Sequence, residues 1–266
     1  LITVGYSANA LGGAGGPLAV LIIAIAASEL GKAVSKETRV DILVTPLVTI
    51  FSGVGLSMLI AAPIGAAASQ VGTLIMWATE QAPLVMGILV SVIVGVALTL
   101  PISSAAICAA LGLTGLAGGA AVAGCCAQMI GFAVMSYKEN GVGGLVSQGL
   151  GTSMLQMGNI VKNPRIWIAP TLASAITGPL ATCVFHFEMN GAAVSSGMGT
   201  CGLVGQIGVY TGWVSDIAAG TKAAITPMDW AAMVLLCFVL PAVLSVIFCE
   251  IERKMGWIKE GDLKLN

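Results

Sequence analysis

The sequence predicts an all-α polytopic membrane protein, and three observations support this prediction. Hydrophobic residues make up 57% of the 266 residues and charged residues only 9%, against about 25% charged residues in a typical soluble domain. The mean hydropathy is +0.99. Several apolar stretches approach the roughly 20 residues that a helix needs to cross a bilayer. The net charge of −1 gives no argument for a nucleic-acid partner.

These properties extend over the whole chain, so we expect a single integral membrane domain over residues 1–266, with the lipid bilayer as its surroundings. The chain begins at Leu1 rather than Met, without a basic region followed by a cleavage site. We therefore expect the chain to be truncated at its N-terminus, with further helices upstream.

About six full transmembrane helices are predicted. The apolar stretches are residues 11–30, 42–64, 83–100, 116–137, 166–185 and 230–249. The fourth stretch is so rich in Gly and Ala that it also predicts close helix packing. Lys and Arg, which concentrate in cytoplasmic loops, cluster at residues 32–39, at Lys138, at 162–165 and at 253–264. We therefore expect these segments and the C-terminus on the cytoplasmic side of a bacterial cytoplasmic membrane.

The stretch TLPISSAAICAALGLTGLAG, residues 99–118, interrupts this simple pattern with a proline, a Ser-Ser pair and three glycines. The charge pattern ends the spans on either side of it in the cytoplasm, so residues 101–115 have to enter the membrane. As a helix these residues reach about 22 Å, short of the roughly 30 Å of a full crossing. We predict a re-entrant or broken helix over 101–115, with Pro101 in its first turn, where proline costs no intrahelical bond.

A second broken segment is predicted over residues 195–208. The sequence MGTCGLVG, residues 198–205, is identical to LGLTGLAG, residues 111–118, at four of eight positions, and each copy follows a Ser-Ser pair. The charge pattern has the two segments enter from opposite sides, as in inverted repeats whose broken helices meet near the midplane. In a chain with 35 glycines, chance similarity is the alternative explanation.

Two further segments are predicted to be interfacial helices. Residues 65–82 are weakly polar and are expected outside. Residues 143–160 are too polar to span the membrane and are expected on the cytoplasmic side. At near-helical spacing, one face of this second segment carries Gln148, Thr152, Gln156 and Asn159.

Polar side chains near the two breaks are candidate ligands for a small polar solute, because broken backbone at depth is tolerated only where protein or a water-filled cavity surrounds it. The candidates are Ser103, Ser104, Thr114, Gln128, Ser195, Ser196, Thr200 and Gln206. The alternative for the hydroxyl groups is hydrogen bonding within their own helices. The alternative for Gln128 is a role in joining helices.

His186 and Glu188 complete the list of candidate site residues. They follow the end of a predicted span in CVFHFEMN, and two interpretations are open: interfacial placement, or a hydrogen-bonding pair for a hydroxylated ligand or a proton, which histidine suits. Asp216 and Asp229 are expected to be external and solvated. The seven cysteines lack metal-ligand spacing and the chain has one histidine, so we predict no catalytic residues, no metal site and no cofactor.

Five stretches together resemble a bacterial membrane family: LTLPISSAAI, GLAGGAAVAGCCAQMIGFAV, ENGVGGLVSQGLGTSMLQ, NPRIWIAPTLASAITGPLAT and GMGTCGLVGQ. The family is the enzyme IIC-like group of the sugar phosphotransferase system that includes the perfringolysin O regulator proteins. The resemblance covers nearly the whole chain. It implies a homodimeric permease that binds a sugar between broken helices and passes it to a separate phosphorylated cytoplasmic partner.

The chain departs from the main carriers of this system in two ways. No IIA or IIB domain is fused, and only His186 and Glu188 offer groups similar to the Glu-containing sugar motif. Two functions are therefore expected. The first is a non-enzymatic carrier subunit for a small polar solute, with a sugar as the implied solute. The alternative is a membrane-embedded sensor or regulator that binds a ligand or partner without transport.

Overall fold

The computed structural model describes residues 16–36 and 40–265. Within these ranges the chain is helical and contains no β-strand, which confirms the all-α class. We number ten helices: α1 Gly16–Val34, α2 Asp41–Gln81, α3 Pro83–Thr99, α4 Ser104–Leu111, α5 Gly115–Met135, α6 Tyr137–Val146, α7 Met157–Lys162, α8 Pro164–Val184, α9 Val204–Ala218 and α10 Pro227–Lys254.

The lengths and surfaces of these helices suit a lipid bilayer. Among the described residues, α2, α5, α8 and α10 are long and apolar enough to cross a membrane, and α3 is a shorter apolar helix. Apolar side chains of α2 point outward, with Ile42 86%, Leu59 74% and Phe51 70% exposed. Such a surface is stable against lipid and costly in water. The chain is therefore a polytopic membrane protein, as predicted.

Each of the six predicted spans coincides with a helix, namely α1, α2, α3, α5, α8 and α10. The first five residues of the first predicted span lie outside the described residues. Helix α8 includes a 3₁₀ turn at its start, Pro164–Trp167. It ends in a π-helical turn, Leu180–Val184.

The separate interfacial helix predicted over residues 65–82 is wrong. Helix α2 continues without a break for 41 residues to Gln81, and Pro63 lies inside it. The Ala-rich run after Ile64 contains no residue that stops a helix. At 1.5 Å per residue, α2 is about 60 Å long, roughly twice the hydrocarbon thickness.

The segment 143–160 is also not the single helix that its polar spacing predicts. Helix α6 contains a non-helical residue, Gly141, at φ 59°. A π-helical turn, Ser147–Gly151, and a 3₁₀ turn, Ser153–Gln156, then lead to α7. The chain bends at Thr152, whose backbone is extended and whose hydroxyl accepts a hydrogen bond from Met154 N.

The chain divides into two compact units, which we describe separately. The first is Leu1–Thr73 with Ala109–Leu111, and the second is Leu74–Cys108 with the chain from Gly112 onward. In the described part of the first unit, α1 packs on α2 through Ala19, Ile23 and Ala61.

Helix α5 is the centre of the second unit, where it contacts α3, α8 and α10. Its residues from Ala117 to Met129 are all buried. Gly124 faces Ser91 of α3 so closely that a β-carbon would overlap the Ser91 carbonyl. Gly119 faces the Phe187 carbonyl in the same way. Small residues thus let neighbouring backbone approach α5 from two directions, the close packing that the Gly/Ala-rich sequence predicts.

We predict that Gly124→Ala destabilises the protein, because its methyl group would meet the Ser91 carbonyl, a backbone atom that cannot rotate away. Overpacking of this kind typically costs about 1–3 kcal/mol. Thermal unfolding in detergent should show a lower transition temperature. The matched control is Gly143→Ala in α6, an exposed position with nothing within 4 Å of its added β-carbon. An equal effect of both substitutions would contradict the prediction.

Candidate functional site

The first predicted broken segment, 101–115, contains the short helix α4 between two irregular turns. Pro101 lies in the turn after α3, and α4 begins at Ser104, so the predicted helix start at Pro101 is wrong. The eight residues of α4 span about 12 Å. After α4, Gly112 and Gly115 adopt φ of 64° and 62°, a region that side chains with a β-carbon rarely occupy. Glycine therefore permits both turns between α4 and α5.

The second predicted broken segment, 195–208, is irregular up to the start of α9. It includes part of the 3₁₀ turn Ala193–Gly197 and all of a second turn, Cys201–Leu203. Three positions within five residues, Gly199, Gly202 and Leu203, have positive φ. Ser196 and Thr200 are nevertheless fully buried. Backbone without regular hydrogen bonding is thus enclosed by protein.

The two broken segments bind each other through their serine pairs. Ser104 Oγ donates to Gly197 O at 2.7 Å, and Ser196 Oγ donates to Leu113 O at 2.7 Å. Each segment thus supplies a hydroxyl donor to a carbonyl that the other segment leaves free of helical bonding. Both serines are buried, and their hydroxyls bond to the other segment rather than to their own helices.

The second segment reaches the middle of α5. Gly199 packs against Cys125 and Cys126, near the midpoint of the 21-residue helix. Thr200 Oγ1 donates to Gly149 O in the π-helical turn Ser147–Gly151. Segments predicted on opposite sides of the membrane therefore meet beside the centre of α5.

Gln128 forms a separate buried polar cluster between helices. Its Oε1 accepts hydrogen bonds from Trp167 Nε1 at 3.0 Å and from Thr99 Oγ1 at 3.3 Å. Its Nε2 donates to Thr171 Oγ1 at 3.3 Å. Thr99 in turn lies 2.8 Å from Ser153 Oγ. The Gln128 amide thus joins α3, α5 and α8 in this arrangement.

The remaining candidates near the breaks also have contacts within the protein. Ser103 Oγ accepts from Ala106 N, Thr114 Oγ1 donates to Met76 Sδ, and the Ser195 side chain packs on Gly208. Gln206 Nε2 lies 3.3 Å from Cys126 Sγ. The Gln206 Oε1 atom is buried and has no hydrogen-bond partner among the described residues.

His186 and Glu188 line a cavity of about 460 Å³. Its other lining residues are Asn190, Trp213, Asp216, Thr221, Lys222 and Asp229. Asn190 Nδ2 donates both to Glu188 Oε2 at 3.1 Å and to Asp216 Oδ2 at 2.9 Å. Asp216 and Asp229 are thus cavity residues, although the sequence led us to expect simple external placement.

The alternation of FHFEMN explains why these side chains face the cavity. Phe187 and Met189 are 3% and 0% exposed, whereas Glu188 between them is exposed, the alternation expected of extended chain. His186 is also exposed, but its backbone is left-handed, at φ 44°. Met189 exchanges two backbone hydrogen bonds of 3.0 Å with Gly115 at the start of α5. This backbone pairing ties the cavity wall to the first broken segment.

The cavity combines charged, amide and aromatic groups. Lys222 Nζ lies 2.8 Å from Asp229 Oδ1 and 5.7 Å from the Trp213 ring centroid. Carboxylate oxygens accept hydrogen bonds from hydroxyl groups, and the imidazole and ammonium groups can donate them. Within the described chain, no group of three or more His, Cys, Asp or Glu is placed to hold a metal ion. The lining groups can thus form hydrogen bonds to hydroxyl groups of a ligand both as acceptors and as donors.

The sequence singles out two residues of the cavity lining as candidates, His186 and Glu188. The other lining residues were not candidates: Asn190, Trp213, Asp216, Thr221, Lys222 and Asp229. The polar–apolar alternation from Phe187 to Asn190 was a usable signal for Asn190. The other residues come from α9, α10 and the loop between them. Nothing in the order of the sequence brings those elements next to residue 186.

The membrane-length helices and the enclosed breaks define a polytopic membrane protein. A family model described as "Phosphotransferase system, EIIC" matches residues 2–265, so the chain belongs to this family and the resemblance seen in the motifs is confirmed. It is a membrane component of phosphotransferase-system sugar transport. No curated protein and no solved structure gives a significant match to the chain.

We predict that Ser196→Ala loosens the contact between the broken segments, because it removes a buried donor and leaves the Leu113 carbonyl unpaired. The expected loss is about 1–3 kcal/mol, with faster amide hydrogen exchange in residues 111–118. Ser215→Ala is the control, since that exposed hydroxyl bonds only to Thr211 in its own helix. Unchanged exchange in Ser196→Ala would show that the bond does not hold the segments together.

Proposed function

We propose that this protein is a phosphotransferase-type carrier that binds a small, uncharged sugar in the cavity lined by His186 and Glu188. The observation that carries the proposal is the set of polar groups around this cavity, with Asn190 fixing Glu188 and Asp216 side by side. Its volume of about 460 Å³ falls within the range usual for small-molecule sites, roughly 300–1,000 Å³.

The charge of the cavity disfavours an acidic solute. Three carboxylates, Glu188, Asp216 and Asp229, line it together with one lysine, and that lysine is already paired with Asp229. The remaining two carboxylates would repel an acidic sugar. Sugar hydroxyls would instead donate to their free oxygens, while Trp213 offers an apolar wall.

The connection between cavity and breaks supports transport. The chain from His186 to Asn190 lines the cavity and pairs with Gly115, which is also where the first broken segment ends. The second segment is attached to the first by the serine hydrogen bonds. A rearrangement of this junction would change access to the solute, as in carriers whose broken helices meet near the midplane.

The alternative function is a sensor that binds the same solute without moving it. The observation that favours it is the closed junction: Ser104, Ser196 and Thr200 all donate to backbone carbonyls of other segments. A junction that never opened would leave the cavity as a binding site only. Uptake by reconstituted vesicles separates the two functions.

The family supports several finer proposals. We include in the proposed function a bacterial cytoplasmic membrane, a cytoplasmic C-terminus, a homodimer and a separate phosphorylated cytoplasmic partner. The possible inverted relation of segments 101–115 and 195–208 belongs to the same proposal. It is supported by the contact between the segments beside α5.

We predict that Glu188→Gln and Asp216→Asn each weaken sugar binding by about 10- to 100-fold, because a hydrogen bond to a charged group contributes about 1.5–3 kcal/mol. Binding is measured as the thermal shift of the purified protein across neutral monosaccharides and disaccharides, with glucuronate as the acidic comparison. Uptake of each sugar that binds is then measured in vesicles that contain the purified cytoplasmic phosphotransferase proteins. Glu80→Gln, an exposed position that does not line the cavity, is the control.

The outcomes distinguish the two functions. Binding with uptake, both reduced in the cavity variants, supports the carrier. Binding without uptake supports the sensor. A protein that responds to no neutral sugar, or binds one equally well after both substitutions, contradicts the placement of the solute in this cavity.

A further inference from the structure

The C-terminal residues 257–265, which we name the tail, are bound along their backbone by amide side chains. Asn140 Nδ2 donates to Leu263 O at 2.8 Å, and Asn140 Oδ1 accepts from Leu265 N at 2.8 Å. A single asparagine thus binds the tail as a neighbouring β-strand would. Glu139 Oε2 accepts from Leu263 N, which precedes both of these tail groups along the chain, at 2.8 Å.

Side chains of the polar segment after α6 form further hydrogen bonds to the tail backbone. Gln156 Nε2 donates to Leu263 O at 3.0 Å, and Asn159 Nδ2 donates to Lys264 O at 3.0 Å. At the first residue of the tail, Asn163 Nδ2 donates to Trp257 O at 2.9 Å. The polar face that the sequence shows in residues 143–160 therefore binds the tail, and two of its four predicted members take part directly.

Two apolar side chains anchor the tail beneath these bonds. Leu263 is fully buried and Ile258 is 3% exposed, both in a cluster that includes Phe132 of α5 and Ile166 of α8. Most polar contacts involve tail backbone and neutral amides. These hydrogen bonds fix which tail residue meets which side chain. The carboxylate of Glu139 also has an ion pair with Arg253 at 2.9 Å, so the tail can separate without leaving this buried ion unpaired.

The tail is connected to the broken segments through hydrogen bonds. Gln156 Nε2, which holds Leu263, also donates to Gln148 Oε1 at 2.9 Å. Gln148 lies in the π-helical turn Ser147–Gly151, and its neighbour Gly149 accepts the hydrogen bond from Thr200. The turn therefore has the tail on one side and the second broken segment on the other.

We propose that the tail is a releasable strap that holds the turn Ser147–Gly151 against Thr200 and so keeps the broken segments in their observed arrangement. Release of the tail removes the Leu263 carbonyl from Gln156, so the bond from Gln156 to Gln148 loses its anchor on the tail side. Gln148 keeps its own bonds to Ser136 Oγ and Gly144 O, and the turn is then held less tightly on the side opposite Thr200. The strap would thereby set how readily the junction beside α5 rearranges. This regulation does not depend on which solute the protein binds.

The test uses two variants of the full chain that release the tail from different sides. Leu263→Asp removes the buried anchor on the tail. Asn140→Asp keeps the acceptor for Leu265 N but replaces the donor to Leu263 O by a carboxylate oxygen. Lys264→Ala is the control, because this exposed side chain can change while the backbone carbonyl that binds Asn159 stays. Hydrogen exchange is followed by mass spectrometry in lipid nanodiscs without added solute.

The proposal predicts that both release variants exchange about tenfold faster in residues 147–151 and 198–203, as expected when a local opening loses one or two hydrogen bonds. The buried middle of α5 should stay protected, and Lys264→Ala should match the unmodified protein. Faster exchange confined to residues 257–265 would overturn the proposal. Faster exchange throughout α5 in the milder variant, Asn140→Asp, would also overturn it, because the tail would then be part of the folded core rather than a strap.

Discussion

The arrangement of this protein depends on one constraint: backbone that leaves the helical state inside a membrane has to find hydrogen-bond partners within the protein. The chain breaks twice beside α5, and the buried carbonyls of Leu113 and Gly197 each accept a hydrogen bond from a serine of the other segment. Because each break supplies the donor that the other requires, neither segment can move far alone. The absence of side chains on α5 at Gly119 and Gly124 gives the surrounding backbone the necessary space.

The sequence predicts the spans well and the breaks in part. Apolar length alone identifies the helices α3, α5, α8 and α10, because a membrane span needs one long hydrophobic run and little else. The Lys and Arg pattern predicts that residues 101–115 enter the membrane, and the structure has Ser104 of this segment buried in protein. The pattern could not place the start of α4, since Pro101 is equally compatible with the first turn of a helix and with the turn before one.

Only part of the candidate site could be predicted from the sequence. Ser104, Ser196 and Thr200 were chosen as polar groups near breaks, and the structure does bring them to the junction, but their partners are carbonyls up to 93 positions away. The cavity residues Trp213, Asp216 and Lys222 lie on the distant α9 and its following loop, so no spacing rule connects them to His186. Similarly, the near-helical spacing of Gln148, Gln156 and Asn159 predicts that they share a face. It does not show that this face contacts the tail.

The length of α2 has a consequence for the membrane itself. Exposed apolar side chains extend from Ile42 to Trp77, a helical distance of about 50 Å, whereas the hydrocarbon layer is roughly 30 Å thick. A helix of this kind cannot stand upright without placing apolar surface in water, so it has to tilt or lie partly along the headgroups. Because each ångström of such mismatch has a modest free-energy cost, the acyl-chain length of the host membrane affects the free energy of placing α2 in the bilayer.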